Sequence, residues 1–254
     1  MDDTSLLDKK MEKLRLGGMR LTCGERLKMA QSEHWGYSAL LDTLLTDEIE
    51  KRNHSQLTRR LAKSQLNPNK TLETFDFGFN PKVHAAVIRE LACCKFVEEG
   101  QNIFIIGPSG VGKSHLAEAL GHEACRRGID VLCHRTHKLL EWLNSGRGDG
   151  SHKRKLDQVI KIPLLILDDF CLQSAPEAQQ EDLYEVICGR YETKSLIITS
   201  NRDLSEWASA FTNPLIASAA MDRLVHKAIE ITIDGGSYRL DQFKKRMKSK
   251  VKQA

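Results

Sequence analysis

Proline is scarce in this chain: there are 6 in 254 residues, the first at Pro68. Nothing of that kind interrupts helix formation before that point. Long apolar runs are also missing. None approaches the roughly 20 residues that cross a bilayer, which excludes a membrane-spanning helix. The first residues, Met1-Asp2-Asp3-Thr4-Ser5, lack the basic start of a secretory signal, so the expected compartment is the cytoplasm, with no membrane partner. The seven cysteines, at 23, 93, 94, 125, 133, 171 and 188, contain no C-x-x-C pair. An odd number without metal-ligand spacing reads as free thiols rather than disulfides or zinc. A strong charge imbalance is absent too: the net +4 does not by itself point to a nucleic-acid partner. Neither aromatic–basic interleaving nor a helix-turn-helix pattern is present, so any nucleic-acid contact is expected to be to backbone and shape. The composition, 41% apolar and 28% charged, is that of a soluble globular protein.

What is present changes texture near residue 70. Residues 5–66 repeat apolar positions at helical spacing. Leu40, Leu41, Leu44, Leu45 and Ile49 form one stripe, continued by Leu57 and Leu61. Gly17-Gly18 and Gly36 read as breaks, giving about three helices whose polar faces lean basic. Asn67-Pro68-Asn69-Lys70 ends the pattern. Beyond it, strands are predicted at 102–106, 130–134, 163–167, 195–199 and 229–233. Helices are predicted around 81–98, 113–127, 136–144, 176–191, 203–210 and 214–227. Short strands with helical crossovers imply an α/β fold: a five-stranded parallel sheet between helices. The segment Ser145-Gly146-Arg147-Gly148-Asp149-Gly150-Ser151 reads as a flexible surface loop. The organisation expected is a small all-α N-terminal domain over 1–70, an α/β domain over 71–240, and a basic tail over 241–254. That tail carries Lys244, Lys245, Arg246, Lys248, Lys250 and Lys252 against Asp241; it reads as a solvated end or as a binding arm.

Residues 107–114 read Gly107-Pro108-Ser109-Gly110-Val111-Gly112-Lys113-Ser114, the full G-x-x-x-x-G-K-S pattern between an apolar strand and a helix. Its glycines let backbone N–H groups turn inward around phosphates, and the following helix adds its positive end. Lys113 can reach the β- and γ-phosphates, and the Ser114 hydroxyl can ligate Mg²⁺. Nucleoside triphosphate binding follows, with ATP and Mg²⁺ as the expected cofactors. The strand Pro163-Leu164-Leu165-Ile166-Leu167 ends in Asp168-Asp169. Beside a phosphate loop, Asp168 would order the metal and Asp169 would polarise an attacking water. Related ATPases usually carry glutamate at the second position, one methylene longer. Asn201, with Ser200 second, is the candidate to sense the γ-phosphate. The same turn can instead cap the next helix through Asn201 or Asp203. Arg223, after Asp222 in a predicted helix, is either an arginine finger for a neighbouring subunit or half of a surface ion pair.

Several stretches together resemble the IstB family, the AAA+ helper ATPases encoded beside the transposases of certain bacterial insertion sequences. They are residues 107–116, Leu164–Phe170, Arg190–Arg202, Asp222-Arg223-Leu224-Val225-His226 and Gly235-Gly236-Ser237-Tyr238-Arg239-Leu240. Thr71–Phe77 and the helical N-terminus also fit. The resemblance implies a P-loop AAA+ core, ATP hydrolysis, ATP-dependent self-association on double-stranded DNA, and recruitment of a cognate transposase for target selection and transposition. It also implies that Arg223 is the finger. The DnaC-like replicative helicase loaders share this core and are the nearest alternative. Their zinc-bearing branch is excluded, because the first seventy residues hold only Cys23. The Ser237–Leu240 ending disfavours the other branch. A small-molecule kinase, or an adaptor that holds ATP without hydrolysing it, are the alternatives from outside this group.

Overall fold

The computed structural model describes residues 3–80, 83–172 and 175–251. It divides into two compact units, Met1–Arg59 and Arg60–Ala254. The division falls inside α3 (Tyr37–Ser64), which runs unbroken through it.

The first unit consists of α1 (Asp3–Lys13), α2 (Gly17–Ser32) and most of α3. The break expected at Gly17-Gly18 falls at residues 14–16, and the glycine pair opens α2. At Gly18 a Cβ would lie 2.6 Å from both Asp47 O and Glu48 Cα, so only glycine lets the helices approach this closely. The buried Glu48 carboxylate accepts the Gly18 N–H at 2.5 Å and the Met19 N–H at 3.2 Å, satisfying donors that open α2. Arg52 pairs with the same carboxylate at 2.7 Å. Met11, Cys23 and Leu44 form the small core. The expected apolar stripe is only partly used: Leu44 is buried, whereas Leu41, Leu45 and Ile49 are 57%, 52% and 58% exposed.

In the second unit, β1 (Ile103–Ile106), β2 (Val131–Arg135), β3 (Leu164–Asp168), β4 (Ser195–Ser200) and β5 (Ile229–Thr232) form one parallel sheet. Its order is β2-β3-β4-β1-β5. The three inner strands, β3, β4 and β1, are buried along their whole length and carry mainly apolar residues, as a sheet covered on both faces requires. Around it lie α6 (Lys113–Arg126), α7 (Thr136–Asp149), α8 (His152–Lys161), α9 (Glu177–Arg190) and α10 (Pro214–Val225). Register decides where the chemistry falls: Ile106 pairs with Ser200 and Arg135 with Asp168, so these strand ends share one edge of the sheet.

Three expectations change. The helix predicted over 81–98 is two, α4 (Ala85–Leu91) and α5 (Lys95–Glu98), because Cys94 at φ 60° breaks the helical path. Pro81 and Lys82 lie outside the described residues. The glycine-rich stretch at 145–151 is not a loop: α7 continues to Asp149 and Gly150 caps it at φ 73°. Gly146 is there for closeness, since a Cβ would come within 2.7 Å of His152 N at the start of α8. The basic C-terminal stretch is likewise helical, as α11 (Tyr238–Val251), with Lys252 outside the described residues.

Arg190 is a buried cation that ties these elements together. It is 1% exposed, and burial pushes its pKa down to about 9, so it remains a cation at neutral pH. Its guanidinium donates to Val159 O, Ile160 O, Ile162 O, Pro163 O and Ser195 O, gathering the C-terminal end of α8 and the starts of β3 and β4. Arg190→Met leaves those carbonyls without this donor at about 1–3 kcal/mol for each that stays dry. Urea unfolding of the variant is expected to show a loss of about 3 kcal/mol or more. A loss below about 1 kcal/mol contradicts this account.

Candidate nucleotide-binding site

The phosphate loop leaves β1 at Gly107 and enters α6 at Lys113. Gly107, Gly110 and Gly112 have φ of 151°, 88° and 105°. A Cβ at Gly107 would stand 2.1 Å from Ile233 O, and one at Gly110 2.2 Å from Ser237 Oγ. The loop is therefore glycine both for its turn and for the chain packed behind it. Val111 is buried, whereas Pro108 and Ser109 face outward. Lys113 is 6% exposed; its Nζ donates to Gly107 O at 2.7 Å, Pro108 O at 2.8 Å and Asn201 Oδ1. Burial lowers the Lys113 pKa, while Asp169 and Asp168 oppose the shift.

Asp168 and Asp169 close the site from β3. Asp168 is 8% exposed and accepts the Thr199 hydroxyl at 2.5 Å. Asp169 turns out of the strand at φ 55°, a left-handed conformation that aspartate tolerates better than most residues. Its N–H donates to Thr199 Oγ1 at 3.1 Å, so one buried threonine fixes both acids. Arg135, at the end of β2, comes within 3.9 Å of Asp169. Asn201 lies at the tip of β4 against Lys113, while Ser200 is buried and donates to Phe170 O. The cap of the next 3-10 helix (Leu204–Ala210) is Asp203, not Asn201.

Residues 109–114, Arg135, Asp168, Asp169 and Asn201 line a cavity of about 600 Å³. That volume suits a small ligand. Phe75, Phe79 and Tyr238 supply an aromatic side. The segment carrying Phe75 is held to α6 by His115, whose Nε2 lies 3.0 Å from Thr71 O. The donor set fits Mg²⁺ shared with phosphates: Ser114 and Asp168 offer oxygens, and no cluster of three acidic, histidine or cysteine side chains occurs among the described residues. Arg223 is not part of this cavity. It sits on α10, donates to Ala219 O at 2.7 Å, and lies over the rings of Tyr184 and Tyr191 rather than against Asp222.

Sequence reasoning missed Thr199, Arg135, Tyr238 and Arg239. The Ser237–Leu240 stretch stood out as a signature, but its place was not readable. In the fold the Tyr238 N–H donates to Gly110 O at 2.9 Å and Arg239 Nη2 donates to Ser109 Oγ at 3.0 Å. The first turn of α11 thus rests on the phosphate loop.

Comparison with known proteins gives this site a context. The description "IstB-like ATP binding protein" belongs to a family whose profile matches residues 9–247. An insertion-sequence protein named for ATP binding, from Mycobacterium tuberculosis (strain ATCC 25618 / H37Rv), is 39% identical over 227 residues, covering 89% of this chain and 90% of that one. A Pseudomonas aeruginosa protein of insertion sequence IS21, also named for ATP binding, is 35% identical over 86% of this chain and 83% of its own. The DnaC helicase loader superposes at TM-score 0.56 with 27% identity, over 65% of this chain and 97% of that one. AMPPCP-bound DnaA from Aquifex aeolicus gives 0.56 at 26% identity, over 73% of this chain and 57% of that one, so this chain spans little more than half the length of DnaA.

The sheet order, the phosphate loop after β1 and the paired acids after β3 define an AAA+ P-loop protein. Within that class, the chain belongs to the IstB-like ATP-binding protein family.

Proposed function

We propose that this protein hydrolyses ATP, assembles with copies of itself on double-stranded DNA when ATP is bound, and assists the transposase of an insertion sequence in target selection and transposition in the cytoplasm. One observation carries the reading: Lys113, Ser114, Asp168, Asp169 and Asn201 converge on one cavity, while Arg223 lies outside it. On binding, Lys113 exchanges the Gly107 and Pro108 carbonyls for phosphate oxygens, and Asn201 faces the γ-phosphate. Ser114 and Asp168 would hold Mg²⁺, which neutralises phosphate charge when bound. Asp169 orients a water and takes up its proton. Arg223 serves the site of the next copy.

The likeness of the insertion-sequence relatives over most of the chain supports the transposition role. We assign residues 1–70 to DNA binding or self-association, 71–240 to the ATPase domain and 241–254 to a basic extension. Exposed Leu41, Leu45 and Ile49 support self-association by the first unit. For DNA, Arg147 and Lys155 are already engaged, with Asp182 at 2.6 Å and Trp142 O at 3.0 Å. Lys153, Arg154 and Lys244 are exposed, and they fit contacts to DNA backbone that weaken with salt.

Phosphate release is expected to rise with added duplex DNA and with protein concentration. Lys113→Ala should bind ATP about 10²-fold more weakly, through loss of a charged donor, and should no longer assemble with ATP on DNA. A Lys113→Ala protein that still does so overturns nucleotide-gated assembly. The likeness to the DnaC loader favours a second reading, helicase loading. Retention of replicative helicase, and not transposase, in a pull-down would establish it.

A further inference from the structure

Two stretches of the sequence far apart in the chain, Tyr191-Glu192 and Asp222-Arg223-Leu224-Val225-His226, meet in the second unit. The Arg223 guanidinium lies 5.9 Å from the centre of the Tyr184 ring and 6.0 Å from that of Tyr191. Tyr184 is on α9, and Tyr191 is the residue that caps it. His226 packs against Tyr191, its ring 5.5 Å away and tilted by 50°, with its Nδ1 3.5 Å from Glu192 Oε1. The Arg223 backbone is equally fixed. Leu224 is fully buried, and its carbonyl accepts from Asn102 Nδ2 at 3.0 Å, while Asn102 Oδ1 accepts the Leu196 N–H of β4 at 3.0 Å.

The chemistry of this arrangement is specific. Among the described residues no carboxylate forms an ion pair with Arg223. Its Nη1 donates to the Ala219 carbonyl, and the aromatic faces hold the rest. A carboxylate partner would neutralise the charge that a finger must deliver. Ring faces restrict where the guanidinium points and leave its charge intact. We infer that Tyr184 and Tyr191 are positioning residues that present Arg223, still charged, to the triphosphate bound by a neighbouring copy of this chain. The inference rests on the proposed role of Arg223 in trans.

A mixing experiment separates the two. Asp169→Asn protein has an intact Arg223 and a silent site; Arg223→Ala protein has an intact site and no finger. On duplex DNA with ATP, neither alone should release phosphate at an appreciable rate, and the mixture should recover turnover. Absence of recovery overturns the finger role and this inference with it. Tyr184→Leu with Tyr191→Leu is then placed on one chain or the other. On the Asp169→Asn chain it should lower the recovered kcat by roughly 10- to 100-fold with KM for ATP unchanged, as expected for a misplaced reacting group. Tyr184→Phe with Tyr191→Phe, which keeps the ring faces, should preserve the rate. On the Arg223→Ala chain the leucine pair has no finger to misplace, and the recovered rate should match that of the unsubstituted mixture. Equal loss from both placements, or loss from neither, overturns the positioning role while leaving the finger standing.

Discussion

Arg223→Ala should lower DNA-stimulated ATP turnover by roughly 10³–10⁵-fold, the contribution an arginine finger makes to phosphoryl transfer, while leaving ATP affinity within about threefold of the parent. The split follows from where the residue lies. Lys113, Ser114 and Asn201 line the cavity of their own chain, so in the proposed reading they act on bound nucleotide before any reaction. Arg223 does not line it, so its removal takes nothing from binding by an isolated chain. Charge develops on the γ-phosphate oxygens only as the bond to the leaving group breaks, and a cation supplied by a neighbour acts there. Arg223→Lys should rescue little, because an ammonium lacks the planar fork and stacks less well between Tyr184 and Tyr191. The measurements are single-turnover phosphate release on saturating duplex DNA and equilibrium binding of a fluorescent ATP analogue. Turnover within about threefold of the parent would remove Arg223 from the mechanism. A matching fall in affinity would place it in the site of its own chain.

How far the sequence revealed this site depends on the range of the interactions. Residues 107–114 were legible because their roles are local: a strand, a turn that only glycine makes, and a helix start follow one another within one short segment. Asp168-Asp169 was legible for the same reason, at the end of an apolar strand. Thr199 fixes those acids from another strand, and Arg239 reaches Ser109 from 130 residues away, so only the folded sheet and α11 bring them in. Helix ends misled in a different way. Gly146 and Gly18 looked like breaks, but each lies in a helix where a neighbouring backbone approaches too closely for a Cβ. Glycine marks both situations, and periodicity cannot separate them. Leu41, Leu45 and Ile49 fit the helical period as one apolar stripe, yet they remain exposed. A hydrophobic period identifies which face is apolar, not what covers it.

Asp169→Asn should cut turnover by roughly 10²–10⁴-fold, the usual contribution of a positioned general base. ATP binding and ATP-dependent assembly on DNA should survive, so the variant is expected to stay on DNA longer than the parent after a chase with unlabelled DNA. Asparagine keeps the size of the side chain and suits the left-handed backbone at φ 55°, so the turn should hold. The hydrogen bond from its N–H to Thr199 Oγ1 is also untouched. What is lost is the ability to accept a proton, together with one negative charge near Lys113. That second loss has its own sign. Burial lowers the Lys113 pKa, and Asp169 is the larger of the two charges that raise it back. Removing that charge favours the neutral amine, so the pKa of Lys113 falls further. The charged form that binds phosphate is populated below that pKa and is lost as pH rises through it. ATP affinity of Asp169→Asn should therefore decline at lower alkaline pH than affinity of the parent, a shift that titrations of Kd between pH 7 and 10 would detect. Arg135, within 3.9 Å of Asp169 and not buried, loses its partner at the same time; as an exposed pair it contributes under about 1 kcal/mol. Asp169→Glu separates chemistry from charge. It restores the carboxylate one methylene further out, so the alkaline affinity profile should return to that of the parent. If turnover returns as well, the carboxylate itself performs the step; if only the affinity profile returns, the step requires the shorter side chain that β3 and Thr199 position.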